Sequence, residues 1–421
     1  MRLKHLTAIK GGAGFPHEEQ NLVDEELAFY KVAALEGASP EGILRNPDHR
    51  ISRETARRLG AHVFPRDTVV FAKVGAALLL NRFRQLAADA CIDNNMMGLE
   101  PLGTAVLPRF LLYAMQAKDL SLVVNPGAVP SVNGSQIAEE RIWCPSPVKQ
   151  QRIANFLDEQ TARIDALIAE KERLAELLKD IEEVTAFDLV VRGAVPNVER
   201  ISYTETWLTN VPAHWGLAKL QQIASIGNGS TPKRDNEVYW KEGDTPWLNS
   251  GSVNTARIRE ASDFVTELAL KQCHLPLVRP GSTLVALTGQ GKTRGNAAMV
   301  EFASTINQHL AYVSLFNERM SDEYLWVVLT GFYSVLRYIS DGGGSTKGAL
   351  TCEQLNRLRV PVPPPGEQAA IVKAYRERIQ ATEVLVTNVT EHIDRLREYR
   401  SSLISAAVTG QLDISTFKVA A

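Results

Sequence analysis

Hydrophobic residues recur every three or four positions along two long stretches of the chain, Ser146–Gly193 and Pro364–Gly410. They form rows that step by seven residues, which is the spacing of a coiled coil and not of a β-strand. Ser146-Pro147 opens the first stretch and Pro364 the second, and both stretches close on a glycine. Serine is a common N-cap, proline is typical of the first turn of a helix, and glycine is typical of its C-terminal end. The pattern therefore predicts two helices of roughly 45 residues, each about 65 Å long.

A helix of that length cannot be buried inside one domain, since globular helices average about 12 residues. With one apolar stripe on each helix, we expect the two helices to pack antiparallel as a coiled coil. The residues predicted for the seam and for subunit contacts are Ile153, Leu157, Ile164, Leu167, Leu174, Leu178, Ile371, Tyr375, Leu385, Val389 and Leu396.

The segment between the two helices repeats the order of features found before the first helix. A glycine-rich turn at 11–14 returns at 227–232, and a turn followed by a buried strand at 64–75 returns at 279–286. The offset is about 215 residues. The fold class predicted is α+β: two mixed α/β domains separated by two long antiparallel coiled-coil helices, with an internal pseudo-two-fold repeat. The predicted divisions are 1–145, 146–193, 194–362 and 363–421.

Shorter elements can be predicted between these landmarks. Ser52–Leu59 has the N-cap serine and basic last turn of a short helix, and Arg109–Gln116 also fits a helix. Glu25–Leu35 is weakly helical in pattern, whereas Arg294–Val300 favours a strand.

Composition describes an ordinary globular protein with 46 basic and 48 acidic residues. Such a balance gives no overall support to nucleic-acid binding, so any basic surface must be local or supplied partly by a partner. The four cysteines lack CxxC spacing, and neither a signal peptide nor an apolar run of about 18 residues is present. We expect a cytoplasmic protein that does not enter a membrane.

One segment has a partial match to a catalytic motif. Ala286–Thr293 fits a relaxed phosphate-binding loop ending in Lys292-Thr293, but its first glycine is missing and a strand is expected after it instead of a helix. The eight histidines show no metal-binding or general-base spacing. We therefore predict no catalytic residues and no metal site.

Glycine-rich loops in both halves carry small hydroxyls, amides and isolated cations. Hydroxyls and cations are common phosphate contacts, and Asn or Gln can pair with base edges. The candidate DNA-binding residues are Lys10, Phe15, Lys73, Arg82, Asn94, Asn95, Ser131, Asn133, Thr231, Lys233, Arg234, Asn249, Ser250, Lys292, Arg294, Gln308, Ser345, Thr346 and Lys347.

Several motifs together carry a family resemblance over nearly the whole chain. They are Lys149-Gln150-Gln151-Arg152-Ile153 and Ile164-Asp165-Ala166-Leu167-Ile168 in the first long helix, Val211-Pro212-Ala213-His214-Trp215, Gly229-Ser230-Thr231-Pro232, Gly344-Ser345-Thr346-Lys347-Gly348, Pro364-Pro365-Gly366-Glu367-Gln368 and Val408-Thr409-Gly410-Gln411-Leu412. In this order and spacing the chain resembles the specificity (S) subunit of type I restriction-modification systems.

The resemblance implies a non-catalytic subunit with two target recognition domains, each reading one half of a split site in double-stranded DNA. The long helices would set the gap and dock two methyltransferase (M) subunits, and two restriction (R) subunits would complete the complex. It also implies that S-adenosylmethionine, ATP and Mg²⁺ bind in the partner subunits and that this chain holds no cofactor. Two alternatives stay open from the residues alone: a P-loop-like nucleotide hydrolase using Lys292-Thr293, and a coiled-coil scaffold that binds only proteins.

Overall fold

The structure is a computed structural model that describes residues 1–39, 41–125, 129–289, 291–341 and 348–417. It is a mixed α/β fold, in agreement with the predicted composition of elements. No helix in this part of the chain is long and apolar enough to cross a membrane.

The first half contains eight strands and five helices among its described residues. The strands are β1 Thr7–Gly11, β2 Leu27–Tyr30, β3 Ile43–Leu44, β4 His49–Ile51, β5 Val69–Ala72, β6 Arg84–Leu86, β7 Ala90–Ile92 and β8 Met96–Pro101. The helices are α1 Arg53–Arg58, α2 Ala76–Leu79, α3 Pro108–Gln116, α4 Gly134–Glu139 and α5 Pro147–Arg192.

The second half follows the same plan with added strands at its beginning and end. Its strands are β9 Arg200–Ile201, β10 Val211–Pro212, β11 Gly216–Lys219, β12 Ala224–Asn228, β13 Thr245–Leu248, β14 Arg257–Ile258, β15 Asp263–Val265, β16 Thr283–Ala286, β17 Ala297–Val300, β18 Thr305–Ile306, β19 Leu310–Leu315 and β20 Arg359–Val362. Its helices are α6 Glu267–Gln272, α7 Asp322–Gly331, α8 Tyr333–Asp341, α9 Cys352–Arg357 and α10 Pro365–Thr409.

The sheets confirm that the two halves are copies of one fold. A five-stranded sheet has the order β1-β8-β5-β6-β3 in the first half and β12-β19-β16-β17-β14 in the second. A three-stranded sheet has the order β4-β2-β7 in the first and β15-β13-β18 in the second. Equivalent strands are 213 to 218 residues apart, for example Thr7 and Ala224 at the starts of β1 and β12.

The chain divides into two compact units, and the division falls within both long helices. One unit holds Met1–Arg173 and Thr390–Ala421, and the other holds Leu174–Val389. In the first unit, the start of α5 and the end of α10 share a core with α3; in the second, the end of α5 and the start of α10 share a core with α7.

Both long helices end as the sequence predicts. They contain 46 and 45 residues and are followed by Gly193 and Gly410, whose φ values of 76° and 79° are left-handed. A side chain there would also be too close to an indole ring, since a Cβ on Gly193 would lie 2.9 Å from Trp215 and one on Gly410 3.0 Å from Trp143. Glycine is therefore required at each position for two reasons: the left-handed backbone conformation and the lack of space for a side chain.

The predicted helix seam is correct in one row and wrong in the other. One continuous series of buried or half-buried positions on α5 alternates by three and four residues; its members are Leu157, Thr161, Ile164, Ile168, Lys171, Ala175, Leu178, Glu182, Thr185 and Leu189. The second row thus runs one residue later than predicted. Leu167 and Leu174 are 41% and 45% exposed, and on α10 Leu385 is 51% exposed while Val386 takes the inward position. The other predicted seam residues are buried or half-buried.

Ion pairs between the two long helices fix their direction within the first unit. Arg400 donates two hydrogen bonds to Asp165, and Arg397 donates one to Glu172. Glu172 follows Asp165 along α5, whereas its partner Arg397 precedes Arg400 along α10. The paired segments are therefore antiparallel.

A buried glutamine joins the start of each long helix to the domain before it. Gln150 accepts from Leu107 N–H at 2.8 Å and donates to the carbonyls of Ala105 and Pro145 at 2.9 and 2.8 Å. This side chain is fully buried.

The same three bonds recur in the second half. Gln368 accepts from Ser321 N–H at 2.9 Å and donates to the carbonyls of Arg319 and Pro363 at 2.9 and 2.8 Å. Because both glutamines bind equivalent backbone groups, they form a joint that is common to the two copies of the repeat.

An ion pair next to each glutamine has opposite polarity in the two halves. In the first half Arg109 of α3 donates to Asp158 of α5 at 2.6 Å. At the equivalent positions of the second half, Glu323 of α7 accepts from Arg376 of α10. The acid thus lies on the long helix in one copy and on the domain in the other.

Most of the short elements agree with their predictions. Ser52 caps α1, α3 covers the predicted Arg109–Gln116 helix, and β17 lies within the predicted strand. The weak helix at Glu25–Leu35 is wrong, because β2 occupies Leu27–Tyr30 and a 3₁₀ turn follows at Val32–Leu35.

Candidate nucleic-acid interface

Each half presents one exposed polar turn at the same place in the repeated sheet. In the first half the carboxylate of Asp93 accepts from Asn95 N–H at 2.8 Å, which shapes the turn between β7 and β8. In the second, the amide oxygen of Asn307 accepts from His309 N–H at 2.9 Å between β18 and β19. The side chains at the tips are exposed, so both turns are available to a ligand.

A glycine crosses closely behind each turn. A Cβ on Gly12 would lie 2.0 Å from the carbonyl oxygen of Asp93, and one on Gly229 would lie 1.7 Å from that of Ile306. Such distances exclude any side chain, so both glycine-rich turns are needed to bring β1 and β12 next to the polar tips.

The first-half turn gathers four of the predicted DNA-binding residues. Lys73 N–H donates to the Asn95 carbonyl at 2.8 Å, and Ser131 lies opposite Val74 in an antiparallel bridge. Burial is the largest influence on the pKa of Asp93 and raises it, although the cations of Lys31 and Lys73 both act to lower it. Asn94 lies beside Asn95 at the exposed tip.

The second-half turn gathers a neutral hydrogen-bonding network. Thr231 donates to the Gln308 side chain at 2.6 Å, and the Gln308 amide nitrogen lies 3.1 Å from the ring of His309. The other nitrogen of that ring lies 2.8 Å from the Thr288 hydroxyl. Asn249 and Ser250 follow β13 at the same edge, because Asn307 N–H donates to Leu248.

Three residues near these turns are absent from the sequence-based prediction. Lys31 occupies the position equivalent to Asn249, directly after β2, and Thr288 and His309 complete the second network. Lys31 is not predicted from the sequence because the pattern of its segment favours a helix, which gives no reason to place it after a strand. An alignment of the two copies anchored on their strands would have found it.

Most of the other predicted DNA-binding residues have local partners. Lys10 lies 3.1 Å from the His62 ring and 3.7 Å from Glu100, and Arg82 pairs with Glu36. Asn133 caps α4 through Gln136 N–H. Phe15 stacks on Phe29, Lys233 is exposed before β13, and Arg234 pairs with Asp263.

Two cations near the partial phosphate-binding motif behave differently from each other. Lys292 is 81% exposed and lies 3.8 Å from Asp180 of α5. Arg294 is a correction to the predicted DNA contacts. It is 8% exposed and donates to Asp341 at 2.7 Å, because it lies in the turn before β17 and its side chain reaches the end of α8. Ser345, Thr346 and Lys347 lie outside the described residues.

The motif itself lacks the geometry of a phosphate-binding loop. After β16 the chain reaches β17 without an intervening helix among the described residues, so no helix N-terminus faces the place of a phosphate. No group of three or more His, Cys, Asp or Glu side chains in the described ranges lies close enough together to hold a metal ion.

Comparisons with known proteins give matches of one kind. Residues 212–384 match the model of the type I restriction modification DNA specificity domain. Over 375 residues the chain is 21% identical to the type I restriction enzyme MjaIX specificity subunit of Methanocaldococcus jannaschii, covering 87% of this chain and 82% of the relative. Over most of its length the chain is similar to a type I specificity subunit.

Two further comparisons concern a second curated protein and a solved structure. The EcoR124I/EcoR124II specificity subunit of Escherichia coli is 24% identical over 183 residues, covering 43% of this chain and 44% of that relative. A solved structure described as the structural basis of complex assembly and conformational transition of the type I R-M system has a TM-score of 0.65 at 16% identity. It covers 98% of this chain and 97% of that chain, so the two chains share a fold along nearly their whole length.

Proposed function

We propose that this chain is the DNA sequence-specificity subunit of a type I restriction-modification complex and reads a bipartite site, one half-site with each half of the repeat. The observation that carries this proposal is the pair of exposed polar turns at Asn94-Asn95 and Gln308-His309. The supporting scaffold is the same in both halves, whereas the side chains at the tips differ. One scaffold with different polar tips is what reading two different base sequences requires.

The two turns differ in charge as well as in hydrogen-bonding groups. Lys31 and Lys73 flank the first turn, while Asn249 and Leu287 occupy the equivalent positions at the second. The first turn therefore has phosphate contacts beside its amides, and the second turn has only neutral donors and acceptors. With 46 basic and 48 acidic residues in the chain, the remaining phosphate neutralisation falls to the partner subunits.

Docking of the methyltransferase subunits is the second part of the proposal. An apolar stripe on α5 points away from the helix seam and consists of Leu174, Leu177, Ile181 and Val184, which are 45% to 66% exposed. Their spacing of three and four residues places them on one face of the helix. We propose that this stripe binds a methyltransferase subunit, with a second such subunit and two restriction subunits completing the complex.

Chemistry is assigned to those partners. In this proposal S-adenosylmethionine is held by the methyltransferase subunits, and ATP and Mg²⁺ by the restriction subunits. This chain selects the sequence, and methyl transfer and cleavage take place elsewhere in the complex. The nucleotide-hydrolase alternative has no support from the loop at Lys292-Thr293, which is followed by β17 and not by a helix.

The test is to map methylated adenines across the genome of cells with and without this chain. We expect a split motif that is methylated only when the chain is present. Methylation that is independent of the chain, or an assembled complex that selects no sequence, would contradict the proposal and favour a protein-only scaffold.

A further inference from the structure

One position in the repeat has completely different chemistry in its two copies. In the first half Phe15 stacks on Phe29 of β2, with ring centroids 3.8 Å apart, and its edge faces His49 of β4 at 5.3 Å. Phe29 and His49 are opposite each other in the antiparallel pair of β2 and β4. This copy of the position is an aromatic cluster.

In the second copy an arginine, and not a phenylalanine, packs on the residue equivalent to Phe29, which is Trp247. Trp247 of β13 and Asp263 of β15 are opposite each other in the equivalent strand pair. The Arg234 guanidinium lies 4.8 Å from the centroid of the Trp247 ring and 3.9 Å from that of Trp240. Its two terminal nitrogens each donate to one oxygen of Asp263 at 3.3 Å.

These contacts hold the guanidinium in a fixed plane although its side chain is 53% exposed. Arginine has five N–H donors, of which Asp263 takes two, so three are left for a ligand. The guanidinium carbon lies over two indole rings whose planes are 84° apart, and contact with both rings restricts the rotational freedom that a surface arginine normally has. The group is therefore directed before any ligand arrives.

Phosphate is a poor ligand for such an arrangement. The adjacent carboxylate cancels the guanidinium charge, so a phosphate would gain little attraction and would meet the repulsion of Asp263. A guanine edge instead offers two neutral acceptors, O6 and N7, which match a directed pair of arginine donors. Because the guanidinium is oriented and its charge is neutralised by Asp263, it should bind a base edge in preference to the phosphate backbone of DNA.

We propose that Arg234 reads one guanine in the half-site of the second half of the chain, and that Asp263, Trp240 and Trp247 hold it in position. This inference rests on the proposed function and replaces the phosphate role that its loop suggests from sequence. Asp263 and the two tryptophans act through Arg234 as positioning residues.

The test uses the complete methyltransferase complex carrying Arg234→Lys, which keeps the charge and loses the planar fork. Methylation is measured on a set of DNA duplexes that carry each base at every half-site position. We expect discrimination to fall roughly 5- to 100-fold at one guanine position, the range for one bidentate base contact, with other positions and the salt dependence unchanged. Asp263→Asn should relax the same position while Arg234 is still present, and should steepen the salt dependence because the arginine is no longer neutralised.

The matched control is Arg259→Lys, since Arg259 is also exposed and paired with an acid, Glu301, at 3.3 Å. It should leave the motif unchanged. Two results together would overturn the inference in favour of a phosphate contact: the Arg234→Lys complex methylates an unchanged motif, and Arg234→Ala lowers the slope of log affinity against log salt concentration by about one. Loss of all sequence preference in the wild-type complex would instead overturn the proposed function, so the two failures are distinguishable.

Discussion

Replacing the buried Gln368 by leucine is the perturbation with the most predictable energetic result. Leucine fits a similar volume but can neither donate nor accept a hydrogen bond. The change leaves three backbone groups without their partner: Ser321 N–H and the carbonyls of Arg319 and Pro363. All three are satisfied in the native chain by one side chain that is 3% exposed.

The cost follows from those three groups. A buried polar group left without a hydrogen bond costs about 1–3 kcal/mol, and the extra apolar burial of leucine offsets part of the sum. We therefore expect the free energy of unfolding to fall by about 3 kcal/mol. With a urea m-value of about 2–3 kcal/mol/M, the midpoint should fall by about 1–1.5 M.

Urea unfolding followed by circular dichroism measures this shift. Gln380→Leu is the control, because Gln380 is exposed on the same helix and the same substitution there should change stability by less than about 0.5 kcal/mol. Gln150→Leu should cost about as much as Gln368→Leu, since its partners are equivalent. A loss below about 1 kcal/mol for both buried variants would refute the view that these glutamines hold the helices to their domains.

Three further outcomes are expected. Leu177→Asp changes a residue that is 52% exposed, so it should leave folding intact and abolish binding of the methyltransferase subunit in a pull-down assay. Leu178→Asp changes a residue that is 9% exposed, so it should lower the free energy of unfolding by several kcal/mol. Equal effects of the two variants would contradict the assignment of the stripe. Inserting one heptad into each long helix, after Leu174 and after Thr382, lengthens each helix by about 10 Å and should lengthen the methylated spacer by about three base pairs. An active complex that methylates the original spacing would show that the helices do not set the spacer length. Exchanging residues 1–140 for those of another specificity subunit should change one half-site only, and a change in both or neither would contradict one-domain-per-half-site reading.

Sequence alone predicts the ends of the long helices and the repeat because those features depend on local chemistry. A proline in the first turn and a glycine at a left-handed position are each selected by the backbone conformation around them, as at Gly193 and Gly410. The glycine turns at Gly12 and Gly229 are likewise required by a close backbone crossing. Local requirements of this kind are visible in one sequence.

The seam is harder to predict because it depends on what the helix surface binds. Thr161 and Ala175 face inward although neither is strongly apolar, while Leu167 and Leu174 are exposed. A leucine at heptad spacing predicts a buried face but does not say which partner buries it. The prediction therefore assigns the wrong row to the helix seam.

The candidate site is only partly predictable because its members are far apart along the chain. Thr231 and Gln308 form one hydrogen bond across 77 residues, and only the sheet order brings them together. The strand β2 consists of four consecutive buried residues without alternation, so its pattern does not distinguish a strand from a helix and gives no reason to select Lys31 after it. Pairing between distant strands is not contained in local periodicity.

Because the two halves are similar, each long helix could pack on the wrong domain during folding, and the reversed ion pairs disfavour that exchange. Because Gln150 and Gln368 bind equivalent backbone groups, neither glutamine distinguishes its own domain from the other copy. The ion pairs do distinguish them: exchanging the two helices would place Asp158 against Glu323 and Arg376 against Arg109. Each exchanged pairing replaces an attraction by a like-charge repulsion, so correct matching is favoured at both ends. The joint shared by both copies therefore supplies stability, and the charges that differ determine which helix packs on which domain.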